Sequence, residues 1–289
     1  MKRKWRIGLG IGFTILFSAL FLNHKYELIA YRPFFKSEDA DLKVMTWNIH
    51  CSQGADSARQ QKIAAIVLKE DADFVQLNEF YQDGCLVLDS LLRTRYPYAE
   101  EFQSHKVSGD IFYSKREMNN SGHVWIPIDG ESIQTLKATI STSADSIQIY
   151  GVHLASNSAD GSAIVNGWDS LKKIGSFYNR YKVVQEERCF QAHWTKVYAQ
   201  ESPHPIIVMG DMNDFSFSAP LDTFKSLGLK NAWWEGETGY GCTFHTGWMR
   251  LRIDHILYSD CLELAGVKVI PTDLSDHNPV VARFRIIRK

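Results

Sequence analysis

The chain has 289 residues, 45% hydrophobic, 22% charged and 12% aromatic. That mixture supplies a sizeable core and excludes a disordered polymer, a collagen and a small disulfide-stapled scaffold. The formal charge is −1, and setting aside Lys2, Arg3, Lys4 and Arg6 leaves 28 basic against 33 acidic side chains, so there is no cationic surplus to hold nucleic acid by counterion release alone.

The four N-terminal cations precede a charge-free run from Ile7 to His24. As a helix it reaches about 27 Å, just the thickness of a hydrocarbon core. Phe17, Leu20 and Leu22 stand where a cleavage signal would carry small residues. The reading is an uncleaved signal anchor over 1–24, with the basic end cytoplasmic and the rest of the chain exoplasmic (periplasmic or extracellular). A stalk over 25–42 and a folded domain over 43–289 follow. A cleaved signal peptide is the alternative, and it exports the same domain. The five cysteines, Cys51, Cys85, Cys189, Cys242 and Cys261, form no CxxC or Cys/His spacing, which argues against zinc. Export permits one or two disulfides without fixing their partners.

Further along, Lys43–Ile49 and Asp73–Asn78 read as buried strands around a helix over Ser57–Glu70, with Ser57 as its cap. Strands are also expected at Asp110–Ser114, Gln134–Ile140, Ser146–His153, Pro205–Gly210, Arg252–Tyr258 and Val280–Ile286. A second, long helix is expected over Trp168–Gln200. Strands separated by helices imply an α/β sandwich.

The informative feature is where the apolar runs stop. The first ends in Asn48 and His50, the second in Asn78 and Glu79, a third in His153, a fourth in Asp211, Asn213 and Asp214. Asp254 and His255 open another run, and Asp276–His277 precede the last. Ligand sites in α/β folds are built at such strand ends. Singly, each has a plainer reading: Asp211 and Asn213 as turn formers, His153 as a hydrogen-bonded core histidine, Asp276–His277 as an exposed turn. Glu79 is harder to dismiss, because an apolar strand leading into a carboxylate calls for a cation or a donor.

Taken in order, Thr46-Trp47-Asn48, Gln76-Leu77-Asn78-Glu79, Gly151-Val152-His153-Leu154, Gly210-Asp211-Met212-Asn213, Arg252-Ile253-Asp254-His255 and Ser275-Asp276-His277 resemble the endonuclease/exonuclease/phosphatase superfamily, the DNase I-like metal-dependent phosphoesterases. The resemblance runs from about Val44 to Phe284. One departure is Asn78, where the family more often carries glutamine. The resemblance implies a DNase I-like two-sheet sandwich with outer helices. It also implies Mg²⁺ or Mn²⁺ held by Glu79 with Asn48 and Asp276, hard oxygen donors suited to those ions. By the same resemblance Asp211 and Asn213 position the attacking water, His277 pairs with Asp254, and His153 donates to a phosphoryl oxygen. His153 and Asn213 thereby also serve substrate binding. Whether Asp211 or His277 is the base stays open, as does a second metal on the Asp211 side.

The function expected is hydrolysis of phosphodiesters, nuclease-like by default. A lipid-headgroup or inositol-phosphate hydrolase, akin to sphingomyelinases, is the alternative. A non-catalytic binding protein on the same scaffold is the third reading, opposed by the retention of Glu79, Asp211 and His277. The expected partners are a phosphate-ester substrate (nucleic acid, or a phosphorylated small molecule or lipid) and a membrane through the N-terminal helix; no protein partner is called for. Specificity is assigned to loops 103–109, 156–168 and 235–249. Lys106, Lys115 and Arg116 are ordinary surface charge unless they meet phosphates, and Trp233, Trp234 and Trp248 ordinary tryptophans unless they form an aromatic rim.

Overall fold

The computed structural model describes residues 16–31, 39–51, 56–102, 109–126, 132–143, 145–157 and 171–287. Strands β1 (Leu42–Cys51), β2 (Phe74–Phe80), β3 (Tyr98–Phe102), β4 (Gly109–Ser114), β5 (Met118–Trp125) and β6 (Ser132–Ser141) come first. They are followed by β7 (Ser146–His153), β8 (Ile206–Asp211), β9 (Lys230–Asn231), β10 (Asp254–Tyr258), β11 (Leu262–Val269) and β12 (Val280–Ile286). The helices beyond residue 43 are α1 (Ser57–Glu70), α2 (Leu86–Arg93), α3 (Leu171–Gln200), α4 (Ala219–Lys225) and α5 (Ala232–Gly236); residues 16–26 are also helical. One six-stranded sheet has the order β11-β12-β1-β2-β4-β3 and the other β9-β10-β8-β7-β6-β5.

The two sheets face each other with helices outside, because most of their strands bury side chains on both faces. In β1, Val44 packs between the sheets with Phe74, Phe112, Ile149, Met209 and Phe284. Its neighbour Met45 turns the other way, onto Ile63, Val67, Leu88 and Leu92 of α1 and α2. On the far side Tyr150, Val152, Val208 and Leu257 meet Ala192, Leu221 and Phe224 of α3 and α4. Alternation between two buried faces explains why these strands read as unbroken apolar runs. The expected two-sheet sandwich with outer helices is thereby observed.

Several local expectations change. The α1 cap is Asp56, not Ser57: its carboxylate accepts from the Ala58 N–H at 3.1 Å, since a cap must precede the first helical residue. Helices α2, α4 and α5 and strands β3, β5 and β11 are absent from the expected elements. Of these, α2, α4, α5 and β3 are only five to eight residues long and β5 is largely exposed, whereas α2 carries a clear apolar face through Leu88 and Leu92 and β11 is mostly buried. Cys51 and Cys85 form a disulfide, while Cys189, Cys242 and Cys261 are free. The expected membrane-spanning helix over 1–24 is not supported: among the described residues no helix is long and apolar enough to cross a membrane, and residues 1–15 lie outside them. Residues 25–31, read as a stalk, lie against the domain. Ala30–Tyr31 pairs with Thr238–Gly239, and Glu27 forms an ion pair with Lys225 at 2.7 Å. Loops 103–108 and 158–168, with Lys106, also lie outside the described residues.

Strand direction decides where polar groups collect. β1 and β2 run parallel, as do β7 and β8. β12 is antiparallel to β1, and β10 to β8. The last residues of β1, β2, β7 and β8 therefore share one end of the sandwich with the first residue of β10 and the approach to β12.

Candidate active site

At that end Asn48 joins the two sheets. Its Nδ2 donates to Glu79 Oε1 at 2.9 Å and to Asp211 Oδ2 at 3.0 Å, and its Oδ1 accepts from the His50 N–H at 3.0 Å. Beneath it, Asn78 Nδ2 donates to Asp110 Oδ1 (2.9 Å) and to the Val152 carbonyl (3.2 Å), while Asn78 Oδ1 accepts the Asp211 N–H (3.2 Å). Gln76 adds a donor to the same carbonyl at 3.1 Å. Buried polar groups need such partners, and here the partners cross from one sheet to the other. Gly210, just before Asp211, has φ +137°, and a Cβ there would stand 1.9 Å from the Val152 oxygen; only glycine allows this approach. Three non-glycine residues at the strand ends, His50, Glu79 and Asn213, have φ near +50°, a conformation uncommon for residues with a Cβ.

His277 stands between two carboxylates. Its Nδ1 lies 2.9 Å from Asp254 Oδ2 and its Nε2 3.6 Å from Asp211 Oδ2. Trp47 Nε1 donates to the His277 carbonyl at 2.8 Å, and the Phe244 ring packs against the imidazole at 4.9 Å between centroids. Burial disfavours the imidazolium, but Asp254 and Asp211 outweigh it and lift His277 to about 10. Burial pushes Asp254 up to about 6, with His277 pulling the other way. The pair is an imidazolium–carboxylate at neutral pH.

His153 Nε2 faces Glu79 Oε1 (4.0 Å) and Asp211 Oδ2 (3.9 Å), with Nδ1 3.4 Å from Asp110 and 3.0 Å from Gln134 Nε2. Burial again opposes the charge, and Asp110, Asp211 and Glu79 overcome it, placing His153 at about 9. Its neighbour in type, His255, goes the opposite way. On the other face of β10, it meets the Asp214 carbonyl at 3.0 Å, and burial drives it down to about 3. One strand thus presents the Asp254 carboxylate toward His277 and the His255 imidazole toward the Asp214 carbonyl on its other side.

The donor set fits a hard divalent cation. Glu79 Oε2 and Asp276 Oδ1 both approach His50 Nδ1, at 3.4 and 3.6 Å, so one ring nitrogen stands between two half-buried carboxylates. The Asn48 amide bridges Glu79 to a third, Asp211. Oxygen-rich, acidic surroundings of this kind suit Mg²⁺, Mn²⁺ or Ca²⁺ rather than zinc. A second grouping, Asp211, Asp254 and His277, brings ligand atoms within 4.8 Å of one another, but there the His277–Asp254 contact already occupies one lone pair and one proton.

Residues 45–277 match the family model described as the endonuclease/exonuclease/phosphatase family. The chain belongs to that family. Solved structures of similar fold include an endonuclease/exonuclease/phosphatase from Beutenbergia cavernae (20% identity, TM-score 0.63, covering 86% of this chain and 72% of that one). The 3′ phosphatase NExo from Neisseria, bound to a product DNA hairpin, is another (17%, 0.58, 84% and 99%). A third is truncated TDP2 from Caenorhabditis elegans (19%, 0.58, 84% and 97%). Among curated proteins none matches the chain.

Within this family member, Asn48, Glu79, His153, Asp211, Asp254 and His277 are brought together, with Asp276 at the rim beside His50. Asn213 is close but differently engaged: its N–H donates to Asp211 Oδ1 (2.8 Å) and its Nδ2 to the Leu154 carbonyl (2.9 Å), which ties two strand ends together. Asn48 presents its amide nitrogen, not its oxygen, to Glu79 and Asp211. Asp110, Gln134 and Thr243 went unnoticed in the sequence. Asp110 sits at the start of an apolar run, the same signal that marked Asp254. Gln134 and Thr243, which accepts the Asp254 N–H at 3.0 Å, carry no such mark.

Proposed function

We propose that this protein is a divalent-metal-dependent phosphoesterase that cleaves phosphodiesters, with Mg²⁺ or Mn²⁺ held by Glu79, Asp276 and a rotated Asn48 amide, acting on the exoplasmic side. The observation carrying this reading is the row Asp254–His277–Asp211 beside the Glu79–Asp276 pair, at one end of the two sheets. The bound ion would polarise a phosphoryl oxygen and stabilise the leaving oxygen. Asp211, with one oxygen engaged by Asn213, turns the other toward the histidines, where it orients the attacking water. Asp254 and Asp211 favour the imidazolium form of His277, which leaves the Asp211 carboxylate to accept the water's proton. The imidazoliums of His277 and His153 donate to phosphoryl oxygens as charge accumulates. The Cys51–Cys85 disulfide supports the exoplasmic placement, since such bonds persist in oxidising compartments.

Single- and double-stranded DNA, RNA, sphingomyelin and inositol phosphates, each incubated with Mg²⁺, test the reading. It requires cleavage of a diester that stops on chelation. A panel without metal-stimulated cleavage leaves a binding protein instead.

A further inference from the structure

Three cations meet on the outer face of the first sheet, at the opposite end of β1 from Asn48. Lys43, Lys268 and Arg283 line a cavity of about 230 Å³, floored by Gly266, Val267 and Val281. Lys43 lies five residue steps before Asn48 along the strand, about 16 Å at roughly 3.3 Å per step.

The cations are unevenly matched. Lys43 Nζ donates to the Glu70 backbone carbonyl and lies 3.2 Å from Glu70 Oε2, and Lys268 Nζ lies 2.7 Å from the same oxygen. One carboxylate therefore serves two lysines. The Arg283 side chain has no hydrogen-bond or ion-pair partner among the described residues. Its guanidinium is nonetheless seated: it lies over Gly266, where a Cβ would come within 2.9 Å of Nη2. The register shift in β11 between Leu264 and Gly266 sets that glycine opposite Arg283. A bulge that re-aims side chains is a built feature, and here it holds an arginine flat with its donors unspent. Offsetting Glu70 needs one cation, and three are present. The cavity is smaller than the roughly 300–1,000 Å³ of pockets that enclose a drug-sized ligand, and suits one anionic group.

We propose that Lys43, Lys268 and Arg283 form a second anion site, away from the catalytic end, that binds a phosphate group through the Arg283 fork and the two ammonium groups. The group is either a free phosphate or monoester, or the diester of a lipid headgroup.

The test uses the intact protein labelled with ¹⁵N-arginine, with the Arg283 Nε–H resonance assigned from Arg283→Gln. Inorganic phosphate and glycerophosphoglycerol, a soluble diester headgroup, are titrated separately, with chloride at equal ionic strength as control. A saturable shift of that resonance is expected, weakened about tenfold or more by Lys268→Gln, an exposed substitution that leaves diesterase turnover unchanged. Tighter binding of phosphate assigns the site to free phosphate or monoesters; tighter binding of the diester assigns it to a headgroup. A resonance that responds to neither, or equally to chloride, or whose affinity is indifferent to Lys268→Gln, overturns the proposal.

Discussion

His277 Nδ1 lies 2.9 Å from Asp254 Oδ2 while its Nε2 faces Asp211 at 3.6 Å, so one imidazolium links the first residue of β10 to the last of β8. Asp254→Asn keeps a hydrogen-bonding group but removes the charge that holds His277 protonated. Turnover of bis-(p-nitrophenyl) phosphate with Mg²⁺ is expected to fall about 10²–10⁴-fold, and His277→Ala by a similar factor. Near-normal turnover in either variant, measured on folded protein, contradicts the assignment.

The histidines give a pH signature. In metal-free protein, His153 is expected to lose its proton near 9 and His277 near 10, while His255 stays neutral down to about 3. A cation bound beside Glu79 adds positive charge, which disfavours an imidazolium. Mg²⁺ therefore lowers the His153 and His277 midpoints. Imidazole ¹⁵N chemical shifts followed against pH report each residue. Midpoints that rise or stand still on adding Mg²⁺ place the cation elsewhere.

Asn78 supports the site without facing it. Asn78→Ala leaves the Asp110 carboxylate short of a donor and the Asp211 N–H short of an acceptor, both buried. Such orphaned groups cost about 1–3 kcal/mol each. Urea unfolding should show a lowered midpoint at unchanged slope, and an unaltered midpoint would remove Asn78 from the account.

Gly210→Ala is expected to be worse. The new Cβ meets the Val152 oxygen at 1.9 Å in a backbone conformation that alanine resists. A loss of ~3 kcal/mol or more, or failure to accumulate folded protein, is expected. A crystal structure or an unfolding curve matching the parent would contradict it.

The site was legible where chemistry interrupts hydrophobicity. Glu79, Asp211 and Asp254 each abut an apolar strand, and the cost of burying a carboxylate makes that position informative. The alternation of strands and helices implies the α/β sandwich, and the ordered motifs add the family and its two-sheet form. Gln134 and Thr243 were not legible, because a polar residue in a strand announces nothing until its cross-strand partner is known. In sequence His50 marks only a strand end, although its ring stands between Glu79 and Asp276. The Asp254/His255 pair shows the limit from the other side: adjacent titratable residues look alike in sequence, and only strand alternation sends one to the site and the other to the core. The anion cavity was hidden because Lys43, Lys268 and Arg283 meet through sheet pairing, not through any spacing.

The central claim, that side chains from separate strands form one metal-dependent hydrolytic centre around Glu79, is tested most directly by Glu79→Ala. Its turnover of bis-(p-nitrophenyl) phosphate is compared with the parent's, with Mg²⁺ and after chelation. The parent should lose activity on chelation, and the variant should be about 10³-fold slower even at saturating Mg²⁺. A variant that keeps the parent's Mg²⁺-dependent rate would contradict the account.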